Sequence, residues 1–421
     1  MSNELGCSIL NCRLCSKTNL SKILKLKSTP AGNNFLTEEE LSLNFEPIFP
    51  LELFFCEDCF HIQLGYVVSP KHLFKNYHFV SGTSHVNVNH FDEYAESIIT
   101  QFDLNEGSFI LDIGSNDGTC LQAFKKRGMK VLGVDPAENI AQVANQNGIE
   151  TLPEFFSDNL AAEIRLKYGV PDLITSHNVL AHIEDFQGTM KAISSIMNDE
   201  SIFVFEVGYF REVFKNLYFD TIYHEHLDYH TLSPLVSFFN SINMELFDSH
   251  IVNIQGGSLR NFVQLTGGRN ETKTSVSELI AMENKQGLDN IPTLRSFQKS
   301  IDEIKTILLS KLIDLKKEGK IIAGYGAPTK STTLMSYFNI DNEIIDFIVD
   351  DNPLKQNKFS PKLHIPVVSS DYLIGDSQPD YLLILAWNFA ESIIDRVNEN
   401  FKYSGKFIVP LPKVKIVNGS G

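Results

Sequence analysis

The stretch Phe109-Ile110-Leu111-Asp112-Ile113-Gly114 is an apolar run of strand length that breaks at Ser115-Asn116-Asp117-Gly118. A helical pattern follows through Leu121, Phe124 and Lys125, and a second run, Lys130-Val131-Leu132-Gly133-Val134, stops at Asp135. Two strands joined by a glycine turn and a helix pair in parallel, so the middle of the chain is committed to an α/β sheet. The alternation continues with a helix over 137–147, a strand at Thr151, a helix over 158–168, and strands over 172–176 and 201–207. A hairpin is expected over 244–265. Glycine in the first turn lets the backbone come close to whatever sits there.

A chain of 421 residues exceeds one ordinary core, so two or three domains are expected. Apolar content of 43% with 21% charged residues describes a soluble globular protein. No apolar run reaches the length of a bilayer span, and the opening Met1-Ser2-Asn3-Glu4-Leu5-Gly6-Cys7 carries no basic-then-apolar signal. A cytoplasmic protein without membrane contact is expected. A net charge of −16 argues against nucleic-acid binding, which needs clustered Lys and Arg.

Six cysteines are too few for a disulfide scaffold. Four of them form Cys12-Arg13-Leu14-Cys15 and Cys56-Glu57-Asp58-Cys59. One CxxC alone is also a redox motif, but two favour a closed tetrahedral zinc site held by Cys12, Cys15, Cys56 and Cys59. Four thiolates leave no open position for catalysis, so that zinc is structural. Further on, residues 75–85 are rich in hydroxyls and histidine, and bring Tyr77 just before a helix expected over 89–101. That stretch reads either as a plain turn or as a lid.

The densest chemistry lies in Thr221-Ile222-Tyr223-His224-Glu225-His226-Leu227-Asp228-Tyr229-His230. Histidine exchanges protons near neutral pH, a carboxylate orients it, and tyrosine holds a developing oxyanion. The competing reading is a metal or hydrogen-bonding cluster within a loop. Ligands of open α/β sheets sit at the carboxyl ends of strands, which places Asn178 and His182, after the strand over 172–176, at the same mouth. If they share a helical turn, their spacing of four puts them on one face. Glu206, ending the next strand, is expected to point into that crevice. The turn Gln255-Gly256-Gly257-Ser258-Leu259-Arg260 reads equally as an anion nest or an ordinary hairpin turn.

Heptad-like spacing over 291–315 predicts one long helix. Lys320-Ile321-Ile322-Ala323-Gly324-Tyr325-Gly326-Ala327-Pro328-Thr329-Lys330 then repeats the strand–glycine–helix logic. Strands are expected over 345–349, ending in Asp350-Asp351 with Lys355 and Lys358 beyond, and over 381–386. This is a second, smaller α/β domain, suited to a nucleotide diphosphate or serving as a structural cap.

The first turn reads D-x-G-x-x-x-G, which resembles class I S-adenosylmethionine methyltransferases more than dinucleotide enzymes. Asp112, Gly114, Ser115, Asn116, Asp117 and Asn178 are then expected at the donor, with Asp135 accepting its ribose hydroxyls. The paired CxxC, D-I-G-S-N-D-G, N-V-L-A-H, Y-H-E-H, G-G-S-L-R and G-Y-G-A-P-T-K followed by N-P-L-K-Q together resemble the nucleotide-sugar C-methyltransferases of branched-chain deoxysugar biosynthesis. The resemblance covers nearly the whole chain. It implies a zinc-binding domain over 1–75, a methyltransferase domain with a doubly wound sheet over 76–290, and a Rossmann-like nucleotide-sugar domain over 291–421. It also implies S-adenosylmethionine and structural zinc as cofactors, and a 4-keto-6-deoxy nucleotide sugar as substrate, methylated at carbon 3. His226, oriented by Glu225, is expected to remove a proton, with His224 the other candidate for the base and Tyr223, His182 and Tyr77 stabilising the resulting enolate. Tyr77, Asn178, Ser258, Arg260, Tyr325, Lys330, Asp351 and Lys355 are expected to hold the sugar nucleotide. A monomer or weak dimer is expected. The alternatives are sugar O-methylation or a related enolising reaction, a zinc-ribbon nucleic-acid methyltransferase, and a zinc-stabilised nucleotide-binding scaffold without catalysis.

Overall fold

In the computed structural model, which describes residues 5–43, 45–69, 73, 81–83, 85–375 and 378–419, the strand Phe109–Ile113 pairs in parallel with Lys130–Val134 on one side and Leu173–His177 on the other. Ile202–Gly208 and Thr151–Leu152 extend the parallel run outwards. The hairpin Met244–Val252 with Ser258–Leu265 closes one edge antiparallel, making seven strands. Period-two alternation divides this sheet's two cores. Phe109, Leu111 and Ile113 face one side with Phe203 and Phe205, while Ile110 faces the other with Ile202 and Val204. The same alternation puts Asp112 and Glu206 on the side of Ile110 and Val204, both buried.

The glycine turn has the tight form its sequence requires. Gly114 is left-handed at φ +73°, and a Cβ there would lie 2.3 Å from Val179 Cγ2. The expected helix over 89–101 runs over His85–Phe102, and the long one over Ile291–Lys317. The latter is capped by Asn290, whose side chain accepts from the Thr293 amide at 3.2 Å, and it buries Leu294, Phe297, Ile301, Ile304, Leu308 and Leu312.

The front of the chain forms an antiparallel sheet from Leu20–Lys25, Glu52–Cys56 and Ile62–Leu64, and its fourth strand is Asp228–Tyr229. The histidine-rich stretch therefore ends as an edge strand of the cysteine-bearing sheet. At the other end of the chain, Ile348–Val349, Ile322–Tyr325, Tyr381–Ile384 and Lys406–Val409 form the parallel centre of a second seven-stranded sheet. One continuous apolar core joins the two regions. It holds Leu53, Phe55 and Ile62 from the front sheet, Phe219, Ile222 and Leu227 around the histidines, Phe297 and Ile301 of the long helix, and Met335 and Ile348 beyond it. The stretch 219–229 is thus packed between three units.

Candidate active site

Four sulfurs cluster beside the front sheet. Cys12 and Cys59 Sγ are 3.5 Å apart, Cys15 and Cys56 Sγ 3.6 Å, and all four lie within 4.8 Å of one another. Thiolates about 2.3 Å from one ion stand roughly 3.8 Å apart, so the donor set fits zinc, and at these separations no disulfide joins them. Cys7 is exposed and apart from this cluster.

The glycine turn is a polar cradle. The Asn116 amide donates to Asp135 Oδ2 and the Ala137 amide to Oδ1, each at 2.9 Å. Burial lifts the Asp135 carboxyl above its ordinary range, and burial followed by the nearby Asp135 charge lifts Asp112 well above it. Asp112 Oδ1 and Ser115 Oγ are buried with no partner among the described residues. A Cβ on Gly133 would stand 2.4 Å from Ser115 Oγ. A narrow cradle with orphaned polar atoms fits a polar ligand in close contact with the backbone, as a methyl donor's amino acid and ribose would be. The backbone of the next segment closes on it: Ser81 donates to Asn116 Oδ1 at 2.8 Å and Gly82 to Asp117 Oδ2 at 2.9 Å. Tyr77 lies outside the described residues.

Asn178 and His182 do not share a helical face. Asn178 is itself left-handed, at φ +56°, directly after the strand, and His182 ends a short 3-10 turn over Leu180–His182. A left-handed residue at a strand end reverses the chain before any helix begins, which the spacing of four does not reveal. From there two contacts carry the chain to the histidines. Val179 packs on Gly114, and the Leu227 amide donates to the Ala181 carbonyl at 2.6 Å.

His226 Nδ1–H donates to the Thr221 carbonyl at 2.8 Å, which leaves the Nε2 lone pair to accept from the Tyr223 hydroxyl, also at 2.8 Å. The His182 ring meets His226 edge-on with centroids 4.8 Å apart. Burial pulls His226 down to about 4, and burial followed by its neighbour His226 pulls His182 down to about 3, so both are neutral at pH 7. Glu225 makes no bond to His226; the Thr221 carbonyl orients that ring instead. Burial pushes Glu225 up to about 7 against the pull of Lys355. His224 points away, its Nε2–H donating to the Pro50 carbonyl at 3.2 Å and its ring edge-on to Phe49.

The remaining expected residues are each engaged within the protein. Arg260 Nε donates to Glu206 Oε1 at 2.6 Å, and His90 Nε2–H donates to Oε2 at 2.7 Å. Burial opposes the charge of Glu206, but the His90 hydrogen bond and the charges of His177 and Arg260 prevail and hold it at about 2. Ser258 is fully buried, its hydroxyl donating to the Ile254 carbonyl. Tyr325, at the end of its strand, donates to Asp351 and accepts from Arg396 of the helix Ala390–Phe401. Lys355 Nζ donates to the Ala327 carbonyl at 2.7 Å and faces Glu225. Lys330 donates to Asn388 Oδ1 at 2.6 Å and lies 3.7 Å from the Trp387 ring centre. Burial lowers Lys330 to about 8 against the nearby Asp220, whose Oδ2 accepts from Trp387 Nε1 at 2.6 Å.

Three groups around the site escape a sequence reading. His177 lies edge-on to Tyr94 with centroids 4.5 Å apart, and its Nε2 is buried without a partner among the described residues. His90 joins the Glu206–Arg260 pair from the helix His85–Phe102, where nothing in its surroundings marks it. Arg13, inside the first CxxC, reaches Asp228 across 215 positions.

A class I methyltransferase sheet, a zinc-binding front sheet and a second Rossmann-like sheet around a histidine site define a methyltransferase. Family models agree in order along the chain: a zinc binding domain over residues 12–74, a methyltransferase domain over 88–247, and the C-methyltransferase C-terminal domain over 253–412. C-methyltransferase NovU of Streptomyces niveus is 33% identical over 407 residues, covering 97% of this chain and 96% of that protein. The chain belongs to this C-methyltransferase family. A ubiquinone biosynthesis O-methyltransferase of Leptothrix cholodnii is 30% identical over 98 residues, 22% of this chain and 40% of that protein. Among solved structures, the plantazolicin methyltransferase BpumL in complex with SAH matches 42% of this chain and 82% of its own at 15% identity, with a TM-score of 0.34. Among the described residues no helix is long and apolar enough to cross a membrane.

Proposed function

We propose that the protein methylates carbon 3 of a 4-keto-6-deoxy nucleotide sugar through an enolate. The observation that carries this reading is the state of His226. Its Nδ1–H is committed to the Thr221 carbonyl, so the neutral ring offers Nε2 alone, and that atom already shares a proton with Tyr223. A carbon acid gives up its proton at useful rates only beside a carbonyl, which is why a ketone suits this site. When Nε2 takes the proton from carbon 3 it no longer accepts from Tyr223, and the phenol turns its hydroxyl towards the enolate oxygen. Proton transfer and enolate stabilisation are each asked for about 3–5 kcal/mol. His182 lies beside His226. Asp112, Gly114, Ser115, Asn116, Asp117, Asp135 and Asn178 are the residues that would hold S-adenosylmethionine, which when bound supplies the electrophilic methyl that carbon 3 takes up.

The nucleotide diphosphate is assigned to the C-terminal sheet. The helix Thr329–Phe338 opens there with no side-chain cap among the described residues; it carries Lys330, and Lys355 is bonded to the Ala327 carbonyl just ahead of it. Burial has lowered the pKa of both lysines, and an anion beside them would raise it again.

In deuterium oxide, the wild-type protein is expected to exchange the carbon 3 proton of a nucleoside-diphosphate 4-keto-6-deoxy sugar, and His226→Gln to lose both that exchange and methyl transfer. Exchange at the wild-type rate in His226→Gln removes this residue from the role. A second reading has one observation in its favour. Glu225, at about 7 and opposite Lys355, is itself poised to exchange a proton near neutral pH. Loss of exchange in Glu225→Gln, with exchange retained in His226→Gln, favours it.

A further inference from the structure

We propose that Arg13, between the first two zinc-binding cysteines, is a positioning residue that locks the two catalytic histidines into one site. Its guanidinium forms a fork on Asp228, Nε to Oδ1 at 2.9 Å and Nη2 to Oδ2 at 3.1 Å, and also donates to the carbonyls of Ile183 and Glu184. Ile183 follows His182 directly, and Asp228 stands two residues after His226. One side chain thus holds the backbone beside one histidine and the carboxylate beside the other. The Arg13 side chain is 7% exposed and Asp228 is 0% exposed. Its own backbone is anchored too, its amide donating to Gln63 Oε1 at 2.8 Å, and Gln63 stands opposite Asp228 across the sheet. His61 Nε2–H adds a second donor to Asp228 Oδ1 at 2.8 Å.

The arrangement gives the zinc knuckle a task beyond stapling the front sheet. Cys12 and Cys15 fix the backbone from which Arg13 projects. The fork matches carboxylate geometry in a way a lysine ammonium cannot, so charge alone does not replace it. A misplacement of about 1 Å at reacting groups costs on the order of 100-fold in rate.

The inference rests on the reading of His182 and His226 as the site, and it is tested separately from that reading by histidine-selective NMR. The edge-on ring pair gives His182 and His226 ring-current-shifted carbon-bound protons in the wild type. Arg13→Ala is expected to keep its zinc and its S-adenosylmethionine affinity, to lose the shifted pair, and to fall at least about 100-fold in kcat on a nucleoside-diphosphate 4-keto-6-deoxy sugar. Arg13→Lys is expected to resemble Arg13→Ala, and added guanidinium to restore part of the shift in Arg13→Ala. Because Arg13→Ala leaves the buried Asp228 carboxylate without its guanidinium partner, Arg13→Met with Asp228→Asn serves as the folded control and is expected to lose the shift as well. An unchanged ring-current pair in Arg13→Ala and in the double variant overturns the inference, as does a loss confined to variants that also lose zinc. Wild-type turnover in His226→Gln overturns the reading of the site instead, and leaves the NMR result standing.

Discussion

Glu225 and His226 are neighbours in sequence, yet burial moves them in opposite directions, the carboxyl up to about 7 and the imidazole down to about 4. A base must be deprotonated, so kcat/KM falls as pH drops through the base's own value. With His226 as the base, activity is expected to persist through neutral pH and to fall only near pH 4. With Glu225 as the base it falls near pH 7, and a pH–rate profile of the wild type beside Glu225→Gln separates the two. At Gly114 an alanine meets both a left-handed backbone, worth about 1–2 kcal/mol, and a Cβ 2.3 Å from Val179. Gly114→Ala is therefore expected to lower the melting temperature and to weaken S-adenosylmethionine binding by calorimetry. An unchanged affinity would place the donor elsewhere.

The elements explain what the sequence discloses and what it withholds. Strands buried on both faces announce themselves, and so do the glycine turn and the long helix with its regular apolar spacing. The edge strand Asp228–Tyr229 does not, because two residues carry no periodicity and their partners lie more than 160 positions away. With that strand hidden, nothing in the sequence pairs Arg13 with Asp228. Asn178 follows the end of the strand Leu173–His177, as expected, but a spacing argument does not reveal its left-handed backbone. Glu225 is expected to orient His226, whereas it is the Thr221 carbonyl, five residues upstream, that accepts from the His226 Nδ1–H. This edge strand also makes metal removal informative. Stripping zinc with a chelator is expected to abolish turnover while S-adenosylmethionine still binds, since the glycine-turn cradle proposed for the donor belongs to the other sheet. Full activity of the zinc-free protein would show that the front sheet does not hold the histidines.

At the scale of the whole molecule, three sheets meet on the stretch 219–229. One brings the glycine-turn cradle proposed for the donor, through Gly114 and Val179, one brings Asp228 and Arg13, and the third brings Lys355 and Lys330. The apolar core spans the front sheet, this stretch and the C-terminal sheet without interruption. The proposed reaction needs all three at once: a donor, a held proton acceptor and a grip on a nucleotide. The measurement that tests this most directly is incubation of the full chain with S-adenosylmethionine and a panel of nucleoside-diphosphate 4-keto-6-deoxy sugars, read by mass spectrometry and carbon NMR. The account predicts a sugar that gains one methyl group bonded to carbon 3 and keeps it through acid hydrolysis. A methyl group found on oxygen, or no methylated sugar anywhere in the panel, would contradict it.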